Sequence, residues 1–172
     1  MVTPREREPD GSAAIPRAEP LPDDRAGERI VRFDVGATLA FAVVSGAAAL
    51  VPDPLVYVSV PVHLVLFAVG CGAFLWAYAV AIGRSRYEAL SMGGVFFLTD
   101  GVAPARVART LRLALAGQVV VAVAAAAARP FTALAFSVLV PMLGLGLMAL
   151  WGARYGRFPD KGSPVPARPG RA

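Results

Sequence analysis

The sequence predicts an all-α membrane protein: four transmembrane helices arranged as two antiparallel hairpins, with both termini in the cytoplasm. Three observations predict it. The 172-residue chain is 56% hydrophobic and only 17% charged, with a mean hydropathy of +0.59, whereas soluble domains run at about a quarter charged. Its uncharged residues gather into four runs, and a spanning helix needs about 20 mostly apolar residues. Its basic residues sit beside alternate ends of those runs, the arrangement that orients helices in a bilayer.

Residues 1–30 hold Pro4, Pro9, Pro16, Pro20 and Pro22 among interspersed acids and arginines. Such a segment buries too little apolar surface to offset ordering and is expected as a disordered cytoplasmic tail. It also lacks the apolar core of a signal peptide. The transmembrane domain is expected over 31–154. The first run, Val35–Pro52, lies between Asp34 and Asp53 and predicts a helix over about 33–52, with Arg32 reaching to the interface. The second, Pro54–Gly83, is interrupted only by His63 and predicts a helix over 54–83. Leu113–Ala128 is short by itself. Pro104 is a helix-start residue, so the third helix is expected over 104–128 with Arg106, Arg109 and Arg112 in its first turns. Pro130–Ala153 predicts the fourth, over 130–153. In lipid each run has to satisfy its backbone polar groups internally, hence helices.

Topology follows from the basic residues. Six lie in the N-terminal tail, five in the loop 84–103 and the start of the third helix, and five from Arg154 onward. The two outer connections share Arg129 alone. The excess belongs on the cytoplasmic side, which places both termini and the loop there, in the cytoplasmic membrane of a bacterium. The outer connections, Pro52-Asp53-Pro54 and Arg129-Pro130, are tight, so the helices they join are expected to be neighbours. The tail 155–172 carries Pro159, Pro164, Pro166 and Pro169 and is expected to be disordered.

Composition also excludes chemistry. The single cysteine, Cys71, rules out an internal disulfide and a cysteine-held cluster. The single histidine, His63, rules out paired-histidine sites. A Gly-rich phosphate loop, an HExxH motif, a metal-ligand cluster and a carboxylate within the runs are all missing from the sequence. No catalytic residue, cofactor or metal is expected, and no enzymatic activity. The pI near 10.1 comes from basic residues spread over tails and loops, which signals orientation rather than a nucleic-acid partner.

A few polar residues interrupt the runs. His63 has two readings: a proton-relay or ligand site, the default for an intramembrane ionisable group, or a neutral imidazole bonded across helices beside Pro61. The second is expected, because a relay needs a titratable partner. Gln118 and Ser137 complete a candidate polar seam, Gln118 being costly to bury unless paired. A Ser–His pair of His63 with Ser45 or Ser137 has no motif to support it as a protease. Small residues recur at helical spacing, as in Ala42-xxx-Gly46 and the run Ala124–Ala128, which lets helices approach closely.

The loop 84–103 is the most distinctive stretch. The second helix is expected to continue past Gly83 and stop at Gly93-Gly94. Val95, Phe96, Phe97 and Leu98 then form a short apolar segment of strand-like composition, closed by Thr99-Asp100-Gly101. These four residues are a candidate docking loop that dips into the interface, covers the bundle or meets a partner. Arg106, Arg109 and Arg112 share one helix face, each step of three turning it by about 60°. That face is a candidate contact for an anionic lipid.

The stretches Phe74-Leu-Trp-Ala-Tyr-Ala-Val-Ala-Ile-Gly-Arg-Ser-Arg86, Gly93-Gly-Val-Phe-Phe-Leu98 and Leu150-Trp-Gly-Ala-Arg-Tyr-Gly-Arg-Phe-Pro159 resemble small, uncharacterised four-helix membrane proteins of GC-rich actinobacteria, over roughly residues 33–159. The resemblance implies topology and host class and carries no activity or catalytic residue. The expected role is an accessory or scaffold subunit in the bilayer, packed on a membrane-protein partner or on copies of itself. The alternative is a small transporter or lipid-binding protein using His63, Gln118 and Ser137. Convergence of those three side chains would favour the alternative; three separate clasps would favour the scaffold.

Overall fold

The computed structural model describes residues 24–161, and of residues 24–26, 52–54 and 56 the backbone alone. It contains α1 (Asp24–Leu50), α2 (Pro52–Arg84), α3 (Met92–Phe97), α4 (Ala105–Ala128), a 3-10 helix (Ala133–Leu139) and α5 (Pro141–Tyr155). There is no strand among the described residues, only an isolated bridge between Glu88 and Asp160. Four helical stretches are long and apolar enough to cross a membrane: Gly27–Leu50, Tyr57–Arg84, Ala105–Ala128 and Ala133–Tyr155. The protein is all-α with four such helices.

Its exposure pattern is inverted relative to a soluble domain. Leu39, Val43, Leu64, Val65, Leu75 and Val120 face outward, whereas Asp34, Ser45, Ser59, His63, Gln118 and Ser137 are buried. Exposed apolar surface on this scale suits a surrounding of lipid rather than water.

α1 begins at Asp24, about ten residues before the expected start, so residues 24–30 are helix rather than disordered tail. Its first turns are amphipathic. Glu28 and Arg32 pair at 2.9 Å on the exposed face, while Ile30 and Val31 pack against Leu98, Leu111, Met148 and Trp151. The tail's remaining residues, 1–23, lie outside the described residues.

The fourth crossing is not one continuous helix over 130–153. Phe131 takes a left-handed conformation, φ 64°. Thr132 then caps a 3-10 helix, its hydroxyl accepting from the Leu134 N–H at 3.4 Å. Pro141 is the physical reason for the break, since it lacks an N–H and its ring opposes the carbonyl four residues back. The Val140 N–H bonds instead to the Ser137 carbonyl at 3.0 Å, in 3-10 fashion.

The loop also differs from expectation. α2 ends at Arg84, and Gly93-Gly94 lie inside α3 instead of terminating α2. Val95–Phe97 are helical rather than strand-like, because Ser91 caps α3 by accepting from the Gly94 N–H at 3.0 Å. A Cβ on Gly94 would lie 2.8 Å from Phe158 and 2.9 Å from Val102, a close approach that only glycine permits.

α5 is the most enclosed element, with Leu143, Gly144, Gly146, Leu147, Met148, Ala149, Trp151, Gly152 and Ala153 buried. The most extensive interfaces are α2 on α5 and α1 on α4. Glycines make the first one possible. A Cβ on Gly70 would stand 2.5 Å from the Leu143 nitrogen, and one on Gly146 would overlap the Gly70 carbonyl oxygen.

Residues 156–161 are not a disordered continuation. The Arg157 N–H bonds to the Val102 carbonyl at 3.0 Å, the Ala89 N–H to Pro159 at 2.8 Å and the Lys161 N–H to Tyr87 at 3.0 Å. The remainder of the tail, 162–172, lies outside the described residues.

Candidate functional site

Five of the buried polar residues form three separate groups with their neighbours. The largest spans α1, α4 and α5. Asp34 and Thr38 are one helical turn apart on α1 and share a face. Gln118 on α4 donates through Nε2 to Asp34 Oδ1 at 3.1 Å and to Thr38 Oγ1 at 2.8 Å. Its Oε1 accepts from the Gly144 N–H at 3.0 Å.

That last bond follows from the break in the fourth crossing. Gly144 lies in the first turn of α5 after Pro141, at the positive end of the helix dipole, where its N–H meets Gln118 from the neighbouring helix. The backbone N–H can only donate, which fixes the amide orientation and turns Nε2 toward Asp34 and Thr38. Thr38 in turn donates its hydroxyl to the Asp34 carbonyl at 2.7 Å. A Cβ on Gly144 would lie 2.7 Å from Gln118 Oε1, so the position needs glycine. Asp34 Oδ2 is buried and meets no hydrogen-bond partner from the protein.

The second group joins α1 to α2. Ser45 Oγ and His63 Nε2 share a hydrogen bond of 3.0 Å, and Phe41 meets the imidazole edge-on with ring centroids 5.4 Å apart. The spacing resembles a nucleophile and its base, yet the surroundings do not. His63 Nδ1 has no hydrogen-bond partner, so no third group orients the ring. Ser45 sits inside α1, where neighbouring backbone N–H groups are committed to the helix and form no oxyanion hole. The pair acts as an interhelical clasp.

Ser137 forms the third group by donating to the Ala122 carbonyl at 3.1 Å. His63, Gln118 and Ser137 therefore hold different helix pairs, and none bonds to another. The structure does not bring them together as a seam.

Arginines organise the end of the bundle that carries α3. Arg112 donates to the carbonyls of Phe97 at 2.9 Å and Leu98 at 2.7 Å, closing the C-terminus of α3 with a cation where the helix dipole favours one. It is thereby removed from the three-arginine face, on which Arg106 and Arg109 remain exposed. Arg84 donates to the carbonyls of Ala153 at 2.6 Å and Gly156 at 2.9 Å. It also pairs with Glu88 at 2.7 Å and lies 5.5 Å from the Phe158 ring centroid.

The four residues of the expected docking loop divide. Val95 and Leu98 are buried against α5 and α4, Phe96 stacks on Phe74 at 5.3 Å, and Phe97 is half exposed. The segment covers its own bundle, and only Phe97 keeps a free face.

At the opposite end, α1 and α4 separate into an apolar groove of about 440 Å³ beside Ala42, Gly46, Ala49, Ala124, Ala125 and Ala128. Small side chains on both helices leave this space. A second cavity, about 270 Å³, lies between the same helices and touches Thr38 and Thr110.

Asp34, Thr38 and Arg84 were not among the sequence candidates. The sequence puts Asp34 at the border of the first run, whereas the structure buries it within the candidate span Gly27–Leu50, which overturns the expectation that the spans lack a carboxylate. A signal for it existed. Asp34, Phe41, Ser45 and Ala48 recur at intervals of seven, four and three, and all four are buried. Among described residues, no group of three or more His, Cys, Asp or Glu side chains is placed to hold a metal. Compared with protein-family models, curated proteins and solved structures, the chain matches nothing in any of the three.

Proposed function

We propose that the chain is a non-catalytic accessory or scaffold subunit that packs laterally against a larger membrane complex, in the cytoplasmic membrane of a bacterium. Both termini and the arginine-rich end face the cytoplasm in this reading. The observation that carries it is the separation of His63, Gln118 and Ser137 into clasps on different helix pairs. A transport seam needs those groups to converge, whereas a scaffold needs rigid helices and an open lateral face. The groove between α1 and α4 is such a face, lined by alanines and glycine that admit a close-packed helix. Exposed Arg106 and Arg109 support a secondary contact with an anionic lipid headgroup.

Crosslinking in native membranes, followed by mass spectrometry, tests the reading. Photoreactive residues replacing Ala42 and Ala128 are expected to capture one membrane protein in stoichiometric yield. Capture of lipid alone would defeat it, and capture of further copies of this chain alone would replace the complex by a homo-oligomer.

A further inference from the structure

Asp34 has no role in the scaffold reading, and its surroundings ask for one. It is fully buried, ten residues into α1, and level with Gln118, which stands thirteen residues into the 24-residue α4. One carboxylate oxygen takes the Gln118 amide; the other, Oδ2, has no protein donor. An ionised carboxylate at this depth requires a compensating cation, because hydrocarbon offers no solvation.

None of the described charged groups on neighbouring elements pairs with Asp34. On α1, Glu28 and Arg32 pair with each other at the surface and Arg29 is exposed. On α2, His63 is bonded to Ser45 and Arg84 to the carbonyls of Ala153 and Gly156. On α4, Arg112 holds the end of α3 while Arg106 and Arg109 are exposed. On α5, Arg154 is exposed and Tyr155 packs on Trp151. The 3-10 helix brings only Ser137, which is bonded to Ala122.

The geometry also discriminates between cations. A metal ion needs several oxygen ligands. Here the amide turns its N–H toward Asp34, its oxygen is held by Gly144, and the Thr38 hydroxyl hydrogen is directed to the backbone. A proton needs only Oδ2. Thr38, bonded to Gln118 beside Asp34, lines the cavity between α1 and α4 that also reaches Thr110, near the arginine-rich end.

We propose that Asp34 is a proton-binding site inside the bundle, carrying the proton on Oδ2 and held in place by Gln118. The function this adds to the scaffold reading is a reversible charge at the α1–α4–α5 junction.

Infrared difference spectroscopy of the full chain in phosphatidylcholine vesicles at neutral pH tests it, comparing the unsubstituted protein with D34N. The expected result is a protonated-carboxyl C=O band that is lost in D34N and moves to lower frequency in heavy water. Loss of carboxylate bands alone would overturn the proposal. So would carboxylate bands that move when potassium replaces sodium, which would identify a metal ion instead. Should D34N fail to assemble, ¹³C-labelled aspartate in the unsubstituted chain and in D34E assigns the band: a label-shifted protonated-carboxyl band present only in the unsubstituted chain supports the proposal, and its absence there overturns it.

Discussion

The two largest interfaces of the bundle are built by opposite means. α2 meets α5 through glycines, with Gly70 and Gly146 bringing backbone onto backbone. α1 meets α4 through hydrogen bonds from Gln118 and then parts into a groove lined by alanines. Helix association in lipid has no hydrophobic drive of its own, so it relies on close packing or on polar contacts. This protein uses one for each interface. Close packing leaves no room for change, whereas the polar interface tolerates open space beside it.

The comparison breaks most readily at the glycine crossing. Gly146→Leu is expected to cost about 3 kcal/mol or more, since overpacking has no outlet where the neighbour is backbone. The loss of helix-bundle signal at a lower denaturant concentration in detergent would measure it. Next comes Gln118→Leu, which leaves the Gly144 N–H and Asp34 unsatisfied and is expected to cost about 2–3 kcal/mol. A stability loss well below 1 kcal/mol in the same titration would mean that the polar interface holds by packing alone.

Arg84→Ala removes the bonds from α2 to the end of α5 and is expected to cost about 2 kcal/mol, less than full burial would imply because the side chain is partly exposed. Arg84→Lys should recover only part of it, as an ammonium cannot reproduce the guanidinium fork. Proteolysis of the segment 156–161 would report its release. The smallest effect is expected at Gly46→Leu. No atom lies within 4 Å of the added Cβ, so stability should change by about 0.5 kcal/mol or less. Crosslinking across the groove should nevertheless fall, which separates docking from folding.

Much of this architecture was legible along the chain. The four runs became the four candidate spans, and α4 begins within a residue of its expected start. Hydropathy succeeds here because a spanning segment has to be apolar over its length. The interruptions were harder. Pro141 was visible but not its consequence, because a proline both ends one helix and starts another, and the 3-10 turns around it are closed by local bonds from Val140 and Leu143. Val95–Leu98 had strand-like composition, and Ser91 with the Gly94 close approach made it helical. Gln118 was singled out as a buried amide, but its partners, Asp34 and Gly144, lie 84 and 26 residues away.

The sequence by itself determined the fold class, the number of helical stretches apolar enough to span a membrane, and the absence of a cysteine- or histidine-rich centre. Each of these depends on composition or on apolar length, which are local quantities. Tertiary structure decided which polar residues meet, which arginines remain free, and that Asp34 lies inside the bundle rather than at its border. Those outcomes rest on rotation and depth of one helix against another. In a chain where nearly every face is apolar, periodicity scarcely encodes rotation, so a few glycines, one glutamine and two arginines set it through contacts.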